Sequence, residues 1–222
     1  MSKHLVFDAY GTLLKINATM EGLNDSDSLL SDKIQALWRA KQLEYTWLES
    51  LMGTFEGFNA VTNRALDYAF GYYKVRNDAL KSAILSVFDD PTAFEDSKSF
   101  LKEVKAQSFQ TAILSNGEMS KLKQSVSTAG IDQEIDVILS ADQAQVFKPS
   151  PKVYELACEQ FSSKPEDILF FSSNPWDIAG ATRFGFITVW INRRQLPFEE
   201  LGVAPSFEFE SFKDFKLQDL VS

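Results

Sequence analysis

Four stretches of the chain end on side chains that could share one reaction. Asp8 follows the apolar run 5–7, and Ser115 and Asn116 lie at the end of TAILSNG (111–117). Lys148 comes after DVILS (136–140), while Ser172, Ser173, Asn174 and Asp177 end or follow DILFFSSN (167–174). An aspartate behind a strand is commonly a loop cap, and none of the others means much alone. Brought to one crevice, they offer an acidic nucleophile, a cation that favours its ionised form, and hydroxyl and amide donors for an anion. A carboxylate that attacks carbon leaves an ester, and water must be directed at that ester by a base. The single histidine, His4, stands at the amino end of the first run, away from these strand ends, so a histidine base is excluded. Asp177, at the start of the helical stretch PWDIAGA, is the best remaining base, although an acid there also suits the positive end of a helix.

The elements must deliver these ends to one place. Apolar runs at 5–7, 111–117, 136–140, 167–174 and 186–192 are bounded by turn residues and separated by amphipathic helical stretches. That alternation predicts βαβ units and a parallel sheet, with ligands beyond the carboxyl ends of the strands. Between 14 and about 94 the period changes to helical, through Ile34, Leu37 and Trp38 and again through Phe58, Val61, Ala65, Leu66 and Ala69, which predicts a helical insertion. Ser31 is read as the N-cap of its first long helix, and Pro91 as its exit before a helix over 94–104. At 222 residues, with 19 Phe and 45% hydrophobic residues, one core plus a sizeable insertion is expected. A net charge of −9 repels phosphate backbones and anionic membranes, so nucleic acid is excluded as a partner and an anionic substrate needs local cations. Cys158, the only cysteine, has no disulfide partner within the chain and reads as a buried structural thiol. No apolar run approaches the ~18 residues of a membrane span, and the amino end lacks the layout of a signal peptide, so a cytoplasmic protein is expected.

FDAYGTL (7–13), LSNG (114–117), VFKPSPKVY (146–154) and FSSNPWD (171–177) resemble the motifs of the haloacid dehalogenase superfamily and span most of the core. LWRAKQLEYTWLESLM (37–52), in the insertion, is similar to the (S)-2-haloacid dehalogenases in particular, which is more specific because the core serves many activities. The resemblance implies an α/β fold with a Rossmann-like parallel sheet flanked by helices, formed by 1–13 and 95–222, and a helical cap of 14–94 inserted after the first strand. It implies hydrolysis of short (S)-2-haloalkanoic acids to (R)-2-hydroxyalkanoic acids and halide through an ester on Asp8, without cofactor or metal, in a homodimer. Phosphoryl-transfer members carry an acid/base Asp two residues after the nucleophile and a magnesium-binding Asp in the last motif. Tyr10 and Ser173 stand in those places, and neither supplies a carboxylate. Displacing a halide from a carboxylate substrate handles only monoanions, which side-chain cations can stabilise.

Within that reading Lys148 is the charge partner of Asp8, and Thr12 holds Asp8 in place. Tyr154 and Ser172 orient Lys148 and Asp177, and Asn174 helps to position water. Arg39, a permanent and weakly hydrated cation on the insertion, receives the halide with Asn116 and the ring edges of Trp176 or Phe58. Ser115, Lys148 and the backbone amides of Ala9 and Tyr10 hold the substrate carboxylate, while Tyr10, Leu43, Phe58 and Trp176 wall its alkyl group. Two rival readings are a phosphatase on the same scaffold and a catalytically inactive binding protein of this fold. Magnesium-dependent phosphate release favours the first, and absence of halide release from chloroacetate or 2-bromopropionate favours the second. The aromatic face of Trp38, Tyr45 and Trp47 can pack against a partner subunit or against its own core.

Overall fold

The computed structural model describes residues 4–15, 28–86 and 90–217. In chain order the elements are β1 (His4–Phe7), β2 (Leu14–Lys15), α1 (Ser28–Met52), α2 (Phe58–Tyr72), α3 (Asp78–Leu85), β3 (Thr92–Ala93), α4 (Glu95–Ala106) and β4 (Gln110–Ser115). They continue with α5 (Met119–Thr128), β5 (Val137–Ser140), α6 (Pro151–Phe161), β6 (Ile168–Ser172), α7 (Pro175–Phe184), β7 (Ile187–Ile191) and β8 (Phe207–Phe209). Six strands form one parallel sheet in the order β5-β4-β1-β6-β7-β8, flanked by helices, so the chain has the expected α/β fold. β1 is central, and the chain winds outward from it in both directions. The crevice beyond its carboxyl end is therefore where such sheets bind ligands.

The sheet is buried on both faces, which explains why its strands read as nearly continuous apolar runs. Alternate residues of β1 serve different layers: Leu5 and Phe7 join a cluster with Phe100, Ile113, Phe171 and Phe212, while Val6 joins one with Leu114, Tyr154, Phe170 and Trp190. Phe7 stacks on Phe171 at 4.8 Å and Phe100 on Phe212 at 5.0 Å, so the abundant phenylalanines fix the layer beneath β1. Asp8 continues the register past the strand end, its amide donating to the Phe171 carbonyl at 2.8 Å. β8 was not anticipated from the sequence. Its three residues are mostly exposed and lack the apolar run that marks the inner strands.

The insertion leaves and rejoins the core through a short antiparallel ladder, in which Leu14 pairs with Ala93 and Lys15 with Thr92. α1, α2 and α3 enclose their own apolar cluster of Ile34, Trp38, Ala65, Leu66, Ala69, Phe70, Leu80 and Ile84. The expected insertion 14–94 also takes in 16–27 and 87–89, which lie outside the described residues. Ser31 is not an N-cap: α1 already starts at Ser28, and Ser31 is buried within it. The aromatic face of α1 is turned inward. Trp38 is buried and donates to the Thr62 carbonyl at 3.0 Å, Tyr45 meets Tyr68 edge-on at 6.4 Å, and Trp47 meets Trp176 at 5.9 Å. Cys158 is half-buried rather than buried, and burial with three nearby glutamates pushes its thiol up to about 11, so it stays protonated.

Candidate active site

Asp8 is 7% exposed, and its two oxygens have different surroundings. Oδ2 accepts from the Thr12 hydroxyl at 2.9 Å and from Asn174 Nδ2 at 2.9 Å, whereas Oδ1, among the described residues, accepts from the Lys148 ammonium alone, at 3.2 Å. Asn174 stands at the N-cap of α7, ahead of Pro175, yet makes no side-chain capping bond. Its amide is turned to Asp8 instead, a local preference overridden at a working site. Ser172 Oγ accepts from the Asn174 amide at 3.1 Å, and Thr12 Oγ1 accepts from the Ser173 amide at 2.8 Å. The loop after β1 is therefore tied to the loop after β6.

Lys148, 1% exposed, lies between two carboxylates: Asp8 on one side and Asp177 Oδ2 at 2.8 Å on the other. Its backbone amide donates to Asn116 Oδ1 at 2.8 Å, which fixes the β4 loop to it. Asp177 is fully buried, and Tyr154 donates to its Oδ1 at 2.8 Å. Gly180, one turn further along α7, makes that approach possible, since a Cβ there would stand 2.5 Å from the Tyr154 hydroxyl. Burial pushes the Asp177 carboxyl up to about 6 against the pull of Lys148. Burial alone would lower Lys148, but Asp177 and Asp8 together outweigh it and its ammonium is raised. One ammonium faces two carboxylates, so the cation is well compensated, whereas the fully buried Asp177 has a single cation beside it and Asp8 nearby opposing its charge. Burial, then Asp177, raises the Tyr154 phenol well above its ordinary value, which keeps it a donor.

A cavity opens between the sheet edge and the insertion. Asp8, Tyr10, Ser115, Asn116, Gly117, Lys148, Asn174 and Trp176 line it from the sheet side, and Arg39, Leu43 and Phe58 from α1 and α2. Asp177, Tyr154, Ser172 and Thr12 are not on its wall; they stand behind Asp8 and Lys148. Ala9 is also beneath the wall, its carbonyl accepting from the amides of Thr12, Leu13 and Leu14. Ser115 Oγ accepts from the Gly117 amide at 3.2 Å. The Tyr10 hydroxyl is within 3.0 Å of Ser125 Oγ on α5, and the Ser173 hydroxyl is buried, so neither place beside Asp8 offers a carboxylate.

What holds Arg39 was not legible in the sequence. Its guanidinium donates to Gln42 Oε1 at 2.5 Å, buried Gln42 donates to Thr62 Oγ1 at 2.6 Å, and Thr62 donates to the Phe58 carbonyl at 2.7 Å. A relay of neutral groups thus runs from Arg39 on α1 to Phe58 on α2. The spacing of Arg39 and Gln42, one helical turn, was the only signal available. Burial draws the guanidinium below its ordinary value, with Asp8 opposing and Arg194 adding, yet a guanidinium remains charged in proteins.

A family model described as haloacid dehalogenase-like hydrolase matches residues 2–185. The (S)-2-haloacid dehalogenase 1 of Pseudomonas sp. strain CBS-3 is 41% identical over 90% of this chain and 88% of its own, and the (S)-2-haloacid dehalogenase of Pseudomonas sp. strain YL is 39% identical over 95% and 91%. Among solved structures, the L-2-haloacid dehalogenase from Xanthobacter autotrophicus with chloropropionic acid covalently bound superposes with a TM-score of 0.82 at 30% identity, covering 100% of this chain and 98% of that one.

Proposed function

Because the chain belongs to the haloacid dehalogenase-like hydrolases, we propose that its cavity carries out the reaction for which these relatives are named. The protein is an (S)-2-haloacid dehalogenase: it hydrolyses short (S)-2-haloalkanoic acids to (R)-2-hydroxyalkanoic acids and halide through an ester on Asp8. The observation that carries this reading is the buried ammonium of Lys148 between Asp8 and Asp177, with a second fixed cation, Arg39, facing Asp8 across the cavity.

Oδ1 of Asp8 is the nucleophilic oxygen, since Oδ2 is already engaged by Thr12 and Asn174. It attacks C2 from the side opposite the halogen, forming the C–O bond as the carbon–halogen bond breaks. The halide leaves towards Arg39, Asn116 and the ring edges of Phe58 or Trp176. The substrate carboxylate is held by Ser115, Lys148 and the amide of Tyr10, Ala9 lying beneath the cavity wall, and the alkyl group lies against Tyr10, Leu43, Phe58 and Trp176. Attack at C2 inverts the carbon once. Water then attacks the Asp8 carboxyl carbon from the rear, where Asp177 takes its proton, and the bond from that carbon to the ester oxygen breaks, so no second inversion occurs. Tyr10 and Ser173, which stand beside Asp8 where phosphoryl-transfer members carry carboxylates, support metal-independent chemistry.

Halide release from separate enantiomers of 2-chloropropionate, with and without a chelator, tests the reading. The (S) enantiomer is consumed at an unchanged rate in chelator, and Asp8→Asn loses at least three orders of magnitude in kcat. Chelator sensitivity, or full activity in Asp8→Asn, would break the mechanism. The active unit we propose comprises a core of 1–13 and 95–222 under a cap of 14–94. Exposed Leu48, Leu51 and Met52 near the end of α1 offer an apolar surface for a homodimer, which sedimentation velocity tests. We place the enzyme in the cytoplasm, where a lone thiol such as Cys158 stays reduced, and cell fractionation reads that.

A further inference from the structure

Beside the site, outside the cavity wall, lies a second partly buried ion pair. Arg193, two residues past β7, donates from Nη1 to Asp96 Oδ2 at 2.8 Å and from Nη2 to Asp96 Oδ1 at 3.1 Å, a two-pronged contact. The same Nη2 also reaches the Thr12 carbonyl at 3.0 Å and Ser97 Oγ at 3.2 Å. Ser97 adds its own bond to the Thr12 carbonyl at 3.3 Å, and the Phe212 amide donates to Asp96 Oδ2 at 3.0 Å. The guanidinium lies 3.9 Å from the Phe94 ring centroid and 5.5 Å from that of Phe212, so its two terminal nitrogens are bonded and its faces are packed, while Nε is buried without a hydrogen-bond partner among the described residues. A buried ion pair is weak evidence for stability, because a well-packed apolar replacement is often as stable. Its location gives it another meaning.

Thr12 lies two residues before β2, through which the chain enters the insertion, and Phe94 and Asp96 lie one and three residues after β3, through which it returns. Arg193 holds both crossings at once. The residue it grips on the outgoing side is also the one whose hydroxyl holds Asp8 Oδ2 and accepts from the Ser173 amide. We propose that Arg193, seated on Asp96, is a positioning residue for the nucleophile. By fixing the Thr12 carbonyl it sets where the Thr12 hydroxyl stands, and so which Asp8 oxygen is left free to attack. The inference rests on the dehalogenase reading, because it assigns Arg193 a part in the step in which Asp8 attacks carbon.

A lysine at 193 keeps the charge but has one compact head, which cannot span Asp96 in two places and also grip Thr12. Arg193→Lys, Thr12→Ala and the double variant are compared for halide release from (S)-2-chloropropionate, with thermal unfolding recorded for each. Arg193→Lys lowers kcat about tenfold and changes KM less than twofold. In the Thr12→Ala background, where the hydroxyl is gone, the same change at 193 costs less than a further twofold. Additive losses, or a loss of Tm with kcat unchanged, would overturn the proposal and leave the pair structural. If Arg193→Lys does not fold, Ser97→Ala withdraws the other donor from the Thr12 carbonyl without touching a charge. It lowers kcat about threefold alone and hardly at all beside Thr12→Ala, and additive losses there also overturn the proposal. Wild-type enzyme inert on both enantiomers would instead sink the dehalogenase reading itself.

Discussion

The Lys148 ammonium is asked to compensate two carboxylates, and the consequences for pH differ between the chemistry and the fold. Asp177 is raised to about 6, so it gains its proton as pH falls through that value and can no longer take one from water. Hydrolysis of the Asp8 ester therefore weakens below about pH 6, while Lys148, raised above its ordinary value, keeps its charge far into the alkaline range. Stability runs the other way for this group. Between about 4, where a free Asp titrates, and about 6, folded Asp177 holds a proton that the unfolded chain has released. Its contribution is fully present below that window and is lost as pH rises through it. Denaturant unfolding at pH 4.5 and 7 should show wild type losing stability relative to Asp177→Asn on going to the higher pH, while wild-type turnover with saturating (S)-2-chloropropionate rises over the same interval. Parallel trends would mean that Asp177 is not the titrating group.

Among the elements, α2 begins in an unusual way. Gly57, its N-cap, has φ of 90° and no side chain to satisfy the first amides. Glu118, from the core just before α5, supplies the missing acceptor: Oε1 takes the Asn59 amide at 3.1 Å and Oε2 takes Asn59 Nδ2 at 2.7 Å. The end of α2 that carries Phe58 is thus capped by the segment that carries Ser115 and Asn116. Glu118→Ala should cost about 1 kcal/mol of stability, the usual worth of an N-cap, and raise KM several-fold with little change in kcat. Gly57→Ala should cost more, because it meets both the left-handed backbone and Glu118 Oε1 at 3.0 Å from the new Cβ. Unfolding curves and initial-rate kinetics of the two variants check the order. Glu118, Gln42, Thr62, Asp96 and Arg193 were not legible in the sequence, because each is an ordinary polar residue whose role comes from a partner on another element. Asp8, Lys148, Asn174 and Asp177 were legible because each follows an apolar run that ends abruptly, and a parallel sheet can only bring such ends to one edge. The inner strands were read for the same reason, while β2, β3 and β8 are too short, and β8 too exposed, to carry an apolar signal.

For the molecule as a whole, charge poses a problem that the site solves only at short range. The chain carries −9, and its substrate is an anion. At the centre, the charges of Asp8 and Asp177 are matched by those of Lys148 and Arg39, so the cavity is close to neutral before substrate enters. Specific donors can then hold a carboxylate, but no net positive field extends outward to draw one in. The approaching haloacid instead meets the field of an acidic protein, which decays over about 10 Å at 0.1 M salt and about 30 Å at 0.01 M. Raising the ionic strength should therefore assist encounter, the reverse of what is expected for an enzyme that steers its anionic substrate. Between about 10 and 200 mM ionic strength, kcat/KM for (S)-2-chloropropionate should rise about twofold with kcat unchanged. The measurement is best made in sodium sulfate, since halide is a product and would compete at the cradle. A fall in kcat/KM over that range would mean that Arg39 and exposed Arg194 dominate the field at the cavity mouth, and that the acidic surface faces away from the path of entry.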